Sequence, residues 1–130
     1  MDFDIDQLLD AIAFVESSNN PNAINSKTGA RGLFQFMPIG WKDVVENYPS
    51  KYGGYADFEK HSLNPEISRD FAKALIELNT KRLKGNATIK NILASYNWGI
   101  GNVLEGGKMP LETRQYIQKV KSRLPKGHYR

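Results

Sequence analysis

The stretch ESSNNPNAINSKTGARGLFQFMP, residues 16–38, decides how the rest of the chain is read. It starts with a carboxylate, Glu16, at the end of a segment of periodic apolar residues. It then passes through turn chemistry rich in Asn, Ser, Pro and Gly. It closes on GLFQFMP, where Gln35 is the one polar side chain in an apolar run. An acid at a helix end, a loop and an isolated amide are the ingredients of a binding cleft.

Upstream, Ile5, Leu8, Leu9, Ile12 and Val15 repeat with the helical period and predict a helix over 4–16, with Asp4 or Asp6 as its cap. At about 100° per residue, Glu16 falls within about 40° of Ile5, Leu9 and Ile12, on the apolar stripe. Burial there and the negative end of the helix both disfavour a charged carboxylate. An acid that stays protonated is what donation to a leaving group requires. The other reading left open is a Glu16 at the surface, with its carboxylate in water.

Downstream, Gly32 to Met37 suits a short strand or a buried helical turn, and Trp41 to Tyr48 a short helix with Trp41, Val44, Val45 and Tyr48 on one side. Residues 48–62 read as an irregular, aromatic-rich loop. Its rings either pack on the core or stay free to stack on a flat ligand. Asn64-Pro65 opens a helix to about Lys84, with Ile67, Phe71, Ala74, Leu75 and Leu78 inward and Gly85 as its stop. Another starts at Asn86 or Thr88, buries Ile89, Ile92, Leu93 and Tyr96, and ends at Gly99. The last, Leu111 to Leu124, turns Tyr116, Ile117, Val120 and Leu124 inward and Lys119, Lys121 and Arg123 outward. The expectation is one compact, mainly-α domain over 1–130, with four or five helices and little or no β.

With 40% hydrophobic and 25% charged residues, the 130-residue chain has ordinary globular composition. Cysteine is absent, which removes disulfides, cysteine metal sites and a cysteine nucleophile. His61 and His128 are too few for a His-rich metal centre, so no metal and no cofactor are expected. The acidic start, MDFDIDQLLD, is unlike the basic start of a signal peptide, and no apolar run approaches a membrane span. The net charge of +4 is lopsided: Asp2, Asp4, Asp6, Asp10 and Glu16 at one end, Arg114, Lys119, Lys121, Arg123, Lys126 and Arg130 at the other. A basic end of this kind suits a polyanion such as nucleic acid, membrane headgroups or an anionic cell wall, or is simply a solvated helix face.

Two motif readings fail. GIGNVLEGGK lacks the spacing of a dinucleotide loop, and a phosphate-binding loop read from Gly101 has Gly107 where lysine belongs. Ser17 and Ser18 lack a nucleophile elbow. SYNWG, residues 95–99, is more informative. Tyr96 falls on the buried helical face and Asn97 follows at the helix end, so both can face one cleft; the plainer reading is a core Tyr and a C-capping Asn.

Taken in order, ES at 16–17, NP, S-x-x-GA-x-GL-x-Q-x-MP, SYNWG and ETRQY resemble the soluble lytic transglycosylases, over roughly residues 6 to 124. That resemblance implies a lysozyme-like (goose-type/SLT) helical domain that cleaves peptidoglycan. It makes Glu16 the catalytic acid and Ser17 the serine beside it. Gln35 and Met37 become cleft residues, Tyr96 and Asn97 the pair near the carboxyl, and Tyr116 the tyrosine of the last block. Departures are Trp98, where many relatives have ALA-YNAG, and Phe34 and Phe36, where Met and Ile or Leu are usual; these are expected to alter how sugars stack. Residues 41–62 match little.

The implied partner is the peptidoglycan glycan strand, met by a monomer in the periplasm or cell wall. A phage-encoded, virion-associated protein and a bacterial enzyme without its leader both fit the start of the chain, and neither nucleic-acid binding nor a membrane span is expected. The rival readings are a lysozyme-type hydrolase drawing a base from Asp43, Glu46, Asp57 or Glu59, an inactive wall-binding or virion structural protein, and a nucleic-acid binder using the basic last helix.

Overall fold

The computed structural model describes residues 3–125. Lys126, His128 and Arg130 of the basic end, and Asp2 of the acidic one, lie outside them. Among the described residues the chain forms eight α-helices: α1 (Ile5–Ser17), α2 (Pro38–Asn47), α3 (Pro49–Tyr52), α4 (Phe58–His61), α5 (Pro65–Leu83), α6 (Ile89–Trp98), α7 (Ile100–Glu105) and α8 (Leu111–Lys121). The extended pairing present consists of isolated bridges, Ile24 with Arg31 and Arg31 with Phe36. The five periodic segments read from the sequence are all helices. The additional helices α3, α4 and α7 have 4, 4 and 6 residues, too few turns for an apolar period to register.

Helix starts follow local chemistry. Asp4 Oδ1 accepts from the amides of Asp6 and Gln7, Asn64 Oδ1 from those of Glu66 and Ile67, and Thr88 Oγ1 from that of Asn91. Each cap satisfies amides that have no partner inside the first turn. At the end of α5, Lys84 (φ 54°), rather than Gly85, takes the left-handed conformation.

The backbone divides into two compact units, residues 12–75 and residues 3–11 with 76–125. The core of unit 12–75 is aromatic. Trp41 stacks on Phe71 with ring centroids 3.6 Å apart, Phe36 meets both rings edge-on, Phe58 packs on Trp41 and Tyr52 on Phe71. The Trp41 indole N–H donates to the Tyr55 carbonyl at 2.8 Å, satisfying the one polar group on the ring. Residues 48–62 therefore supply rings to this core. Tyr55, edge-on to His61, remains 40% exposed. Phe34 and Phe36 are buried at 0% and 3% exposure, so the expectation that they stack on sugars gives way to core packing, where each burial contributes roughly 1.5–3 kcal/mol.

In the other unit α6 packs on α7 and on α8. Its core includes Leu8, Leu9, Ile76, Leu83, Ile89, Ile92, Leu93, Ile117, Val120 and Leu124, all buried. The faces of α6 and α8 thus fall where their periodicity puts them, with Lys119 and Arg123 exposed, except that Tyr96, expected inward, is half-buried near the end of α6.

Candidate active site

The C-terminal turn of α1 carries Glu16. Leu9 and Ile12, its neighbours on the stripe, are fully buried, while Glu16 itself is half-buried. The carboxyl therefore sits at the margin of the core, between the two positions open from the sequence. Directly after it the helix is broken sharply. Ser18 (φ 54°) and Asn19 (φ 63°) are both left-handed, and their amides return to Phe14 O and Ala13 O. The next left-handed non-glycine residue is Gln35 (φ 48°). Among the described non-glycine residues only Lys84 shares this conformation outside 16–38. Non-glycine residues pay for it with backbone strain, which concentrates where the surroundings over-determine the chain.

Loop 18–37 is over-determined by polar contacts. Arg31 and Phe36 exchange backbone hydrogen bonds, the Gly32 amide donates to Ala23 O, and the Asn25 amide donates to Ala30 O. The Gln35 side-chain Nε2 donates to Ala23 O (3.2 Å) and Gly32 O (3.0 Å), tying both plies of the loop together. Its amino group is committed to the backbone, so what Gln35 can offer a ligand is its carbonyl oxygen, an acceptor. Arg31 anchors the loop to its own unit through Ser62 Oγ (2.8 Å) and Glu59 O (3.3 Å).

Ser17 joins helix to loop. Its hydroxyl lies 3.0 Å from Ala13 O and 2.8 Å from Leu33 O, so its single proton serves either carbonyl. The Leu33 bond spans 16 residues of sequence and fixes the residue next to Glu16 against the GLFQF turn. Removing it in Ser17→Ala should cost about 1 kcal/mol of stability, the net worth of one hydrogen bond. Thermal unfolding checks this. Met37, at the N-terminus of α2, is 40% exposed and available at the surface of this unit.

The other unit carries the remaining candidates at the end of α6. Tyr96 and Asn97 are half-buried, and α6 continues through Trp98 to a cap at Gly99 (φ 106°), so Asn97 is not the C-cap. Its carboxamide Oδ1 instead accepts from Thr113 Oγ1 at 2.9 Å, a bond between α6 and α8. Trp98 is half-buried, with its ring edge beside Gly107, and its carbonyl accepts from Asn102 Nδ2 at 2.7 Å. Tyr116 is 6% exposed, on the buried face of α8. Glu112, the other carboxylate in the matched blocks, is exposed in the first turn of α8, where a negative charge complements the helix dipole. Among the described residues no three His, Asp or Glu side chains gather as metal ligands, and no helix is long and apolar enough to cross a membrane.

A comparison with family models matches residues 4–117 to the transglycosylase SLT domain. The chain belongs to this family. No curated protein matches it. All seven residues singled out, from Glu16 to Tyr116, lie within the SLT match. Membership makes peptidoglycan the implied substrate and the cell wall the implied place of action.

Two contributors to this SLT domain escaped the sequence reading. Thr113 sits in ETRQY beside more conspicuous residues, and its bond to Asn97 joins positions 16 apart, which no periodicity signals. Gly32 opens the segment to Met37 expected as a short strand or a buried helical turn. In fact a Cβ there would lie 2.3 Å from the Ser62 carbonyl oxygen, so the loop folds onto residue 62 only because no side chain intervenes.

Proposed function

We propose that the chain is a lytic transglycosylase that cleaves the β-1,4 bond between N-acetylmuramic acid and N-acetylglucosamine without consuming water. The observation that carries the reading is Glu16: a half-buried carboxyl at a helix end, on a backbone fixed by left-handed residues and by the Ser17–Leu33 hydrogen bond. In this reading Glu16 begins protonated, as a general acid must. Residues 1–130 act as one catalytic domain, as a monomer outside the cytoplasm.

Glu16 donates its proton to the glycosidic oxygen, and the N-acetylglucosamine side leaves as an alcohol. Positive charge develops at the muramyl anomeric carbon, where the substrate's own N-acetyl oxygen stabilises it. Glu16, now a carboxylate, takes the proton of the muramyl 6-hydroxyl. That oxygen bonds to the anomeric carbon, displaces the acetyl oxygen and gives a 1,6-anhydro end, with the acid restored. One carboxyl suffices because the substrate supplies both the stabilising group and the nucleophile, whereas most glycosidases need a second carboxylate. Gln35 and Met37 contact the glycan, Asn97 and Tyr96 orient its N-acetyl group, and Tyr116 supports them. No cofactor takes part.

A lysozyme-type hydrolase requires a base to activate water. Asp57 Oδ1 accepts from the Lys60 amide as the cap of α4, and Asp43 Oδ1 accepts from Asn47 Nδ2, which ties both into local structure. Mass spectrometry of muropeptides released from purified peptidoglycan decides between the two. The transglycosylase product is one water lighter than the hydrolytic one, and products of hydrolytic mass alone would overturn the proposal.

A further inference from the structure

We infer that Thr113 is a positioning residue that fixes Asn97 as a hydrogen-bond donor to the acetamido carbonyl of the glycan. The inference deepens the transglycosylase reading and rests on it. Its basis is the direction of one hydrogen bond. Thr113 is 2% exposed, and its hydroxyl lies 2.9 Å from Asn97 Oδ1. Among the described residues that oxygen is the only partner of the Thr113 hydroxyl.

If the Asn97 amide were turned over, its NH2 would donate to Thr113, and the threonine proton would be left buried without an acceptor. That penalty holds the amide in one orientation, with Oδ1 toward Thr113. The consequence falls on the other side of the carboxamide. Nδ2 makes no hydrogen bond among the described residues and is not sealed from solvent. Two N–H donors are thus presented by a half-buried side chain one residue from Tyr96, at the end of α6. A group with two donors and no acceptor selects a carbonyl. Of the neutral groups along an N-acetylated glycan, the acetamido oxygen is the strongest acceptor, and hydroxyls are served equally well by either face of an amide.

Without the threonine proton, the amide is free to turn its oxygen outward, where it repels a carbonyl. Thr113→Val removes the proton while keeping the shape, and Thr113→Ser restores it. The probes are tetra-N-acetylchitotetraose and its fully N-deacetylated counterpart, titrated calorimetrically into Glu16→Gln protein, which cannot turn over a glycan. The deacetylated probe is cationic, but Thr→Val changes no charge, so this effect cancels when the acetylated-to-deacetylated affinity ratio is compared between variants.

Thr113→Val should lower that ratio about fivefold, the equivalent of one neutral hydrogen bond, while Thr113→Ser keeps it. If the valine variant does not fold, Thr113→Ala makes the same test, again with no change of charge: the proton is lost and the ratio should fall by a similar factor. An unchanged ratio in Thr113→Val or Thr113→Ala overturns the inference, as does a parent protein with no acetyl preference. Failure of the underlying reading looks different: the protein with Glu16 intact would then release no anhydro-muropeptides from peptidoglycan.

Discussion

Glu16→Gln should reduce the release of muropeptides from purified peptidoglycan by about a thousandfold or more, to background in a turbidity assay. General acid or base catalysis by one positioned group is worth roughly 10²–10⁴-fold, and the proposed mechanism uses the same carboxyl in both roles. Glutamine keeps the size and the hydrogen-bonding reach of the side chain but cannot deliver a proton to the glycosidic oxygen or take one from the muramyl hydroxyl. Because Glu16 is half-buried and lies outside the aromatic core, the variant should keep its far-ultraviolet circular dichroism and most of its melting temperature. A folded Glu16→Gln protein that still clears the wall would sink the assignment of the catalytic acid. Glu16→Asp is informative too. It keeps the acid but withdraws it by one methylene, and a displacement of about 1 Å can cost on the order of a hundredfold.

The second large effect is on folding. Gly32→Ala should destabilise the protein by roughly 2–5 kcal/mol, a left-handed penalty of about 1–2 kcal/mol plus the cost of overpacking. Gly32 has φ +82°, and its added Cβ would meet the Ser62 backbone oxygen at 2.3 Å, so main chain must move. Gly29 provides the internal control. It has the same φ of +82° but open space around its Cβ position, so Gly29→Ala should carry the conformational part alone. Urea midpoints of the two variants would separate the terms. Equal losses would show that residue 62 yields and that the close approach is not a constraint. The expected asymmetry extends to function, because Gly32 O is one of the two carbonyls that hold Gln35, and a shifted Gly32 releases it.

Helices α1, α5, α6 and α8 were readable because each repeats an apolar face over 10 residues or more and begins with a capping side chain or a proline. Helices α3, α4 and α7 were not, since one turn has no period, and GIGNVLEGGK hid α7 behind four glycines. The wheel placed Glu16 on the stripe of Leu9 and Ile12 but could not say how far burial extends at the last turn of a helix. The rings of 48–62 were ambiguous for a similar reason. Whether a tyrosine or phenylalanine packs or waits for a ligand depends on whether a partner ring, here Trp41 or Phe71, stands in front of it.

By itself, then, the sequence determined the helical class and the family, and it pointed to Glu16 as the acid to propose. These rest on local periodicity and on an ordered set of residue types, both legible in one dimension. Tertiary structure decided which polar atoms remain available for chemistry. The Ser17 hydroxyl is taken by Leu33, the Gln35 amino group by Ala23 and Gly32, and the Asn97 oxygen by Thr113. The physical reason is that an amide or hydroxyl has a fixed number of donors and acceptors, and only the folded neighbours reveal which of them the protein has already used.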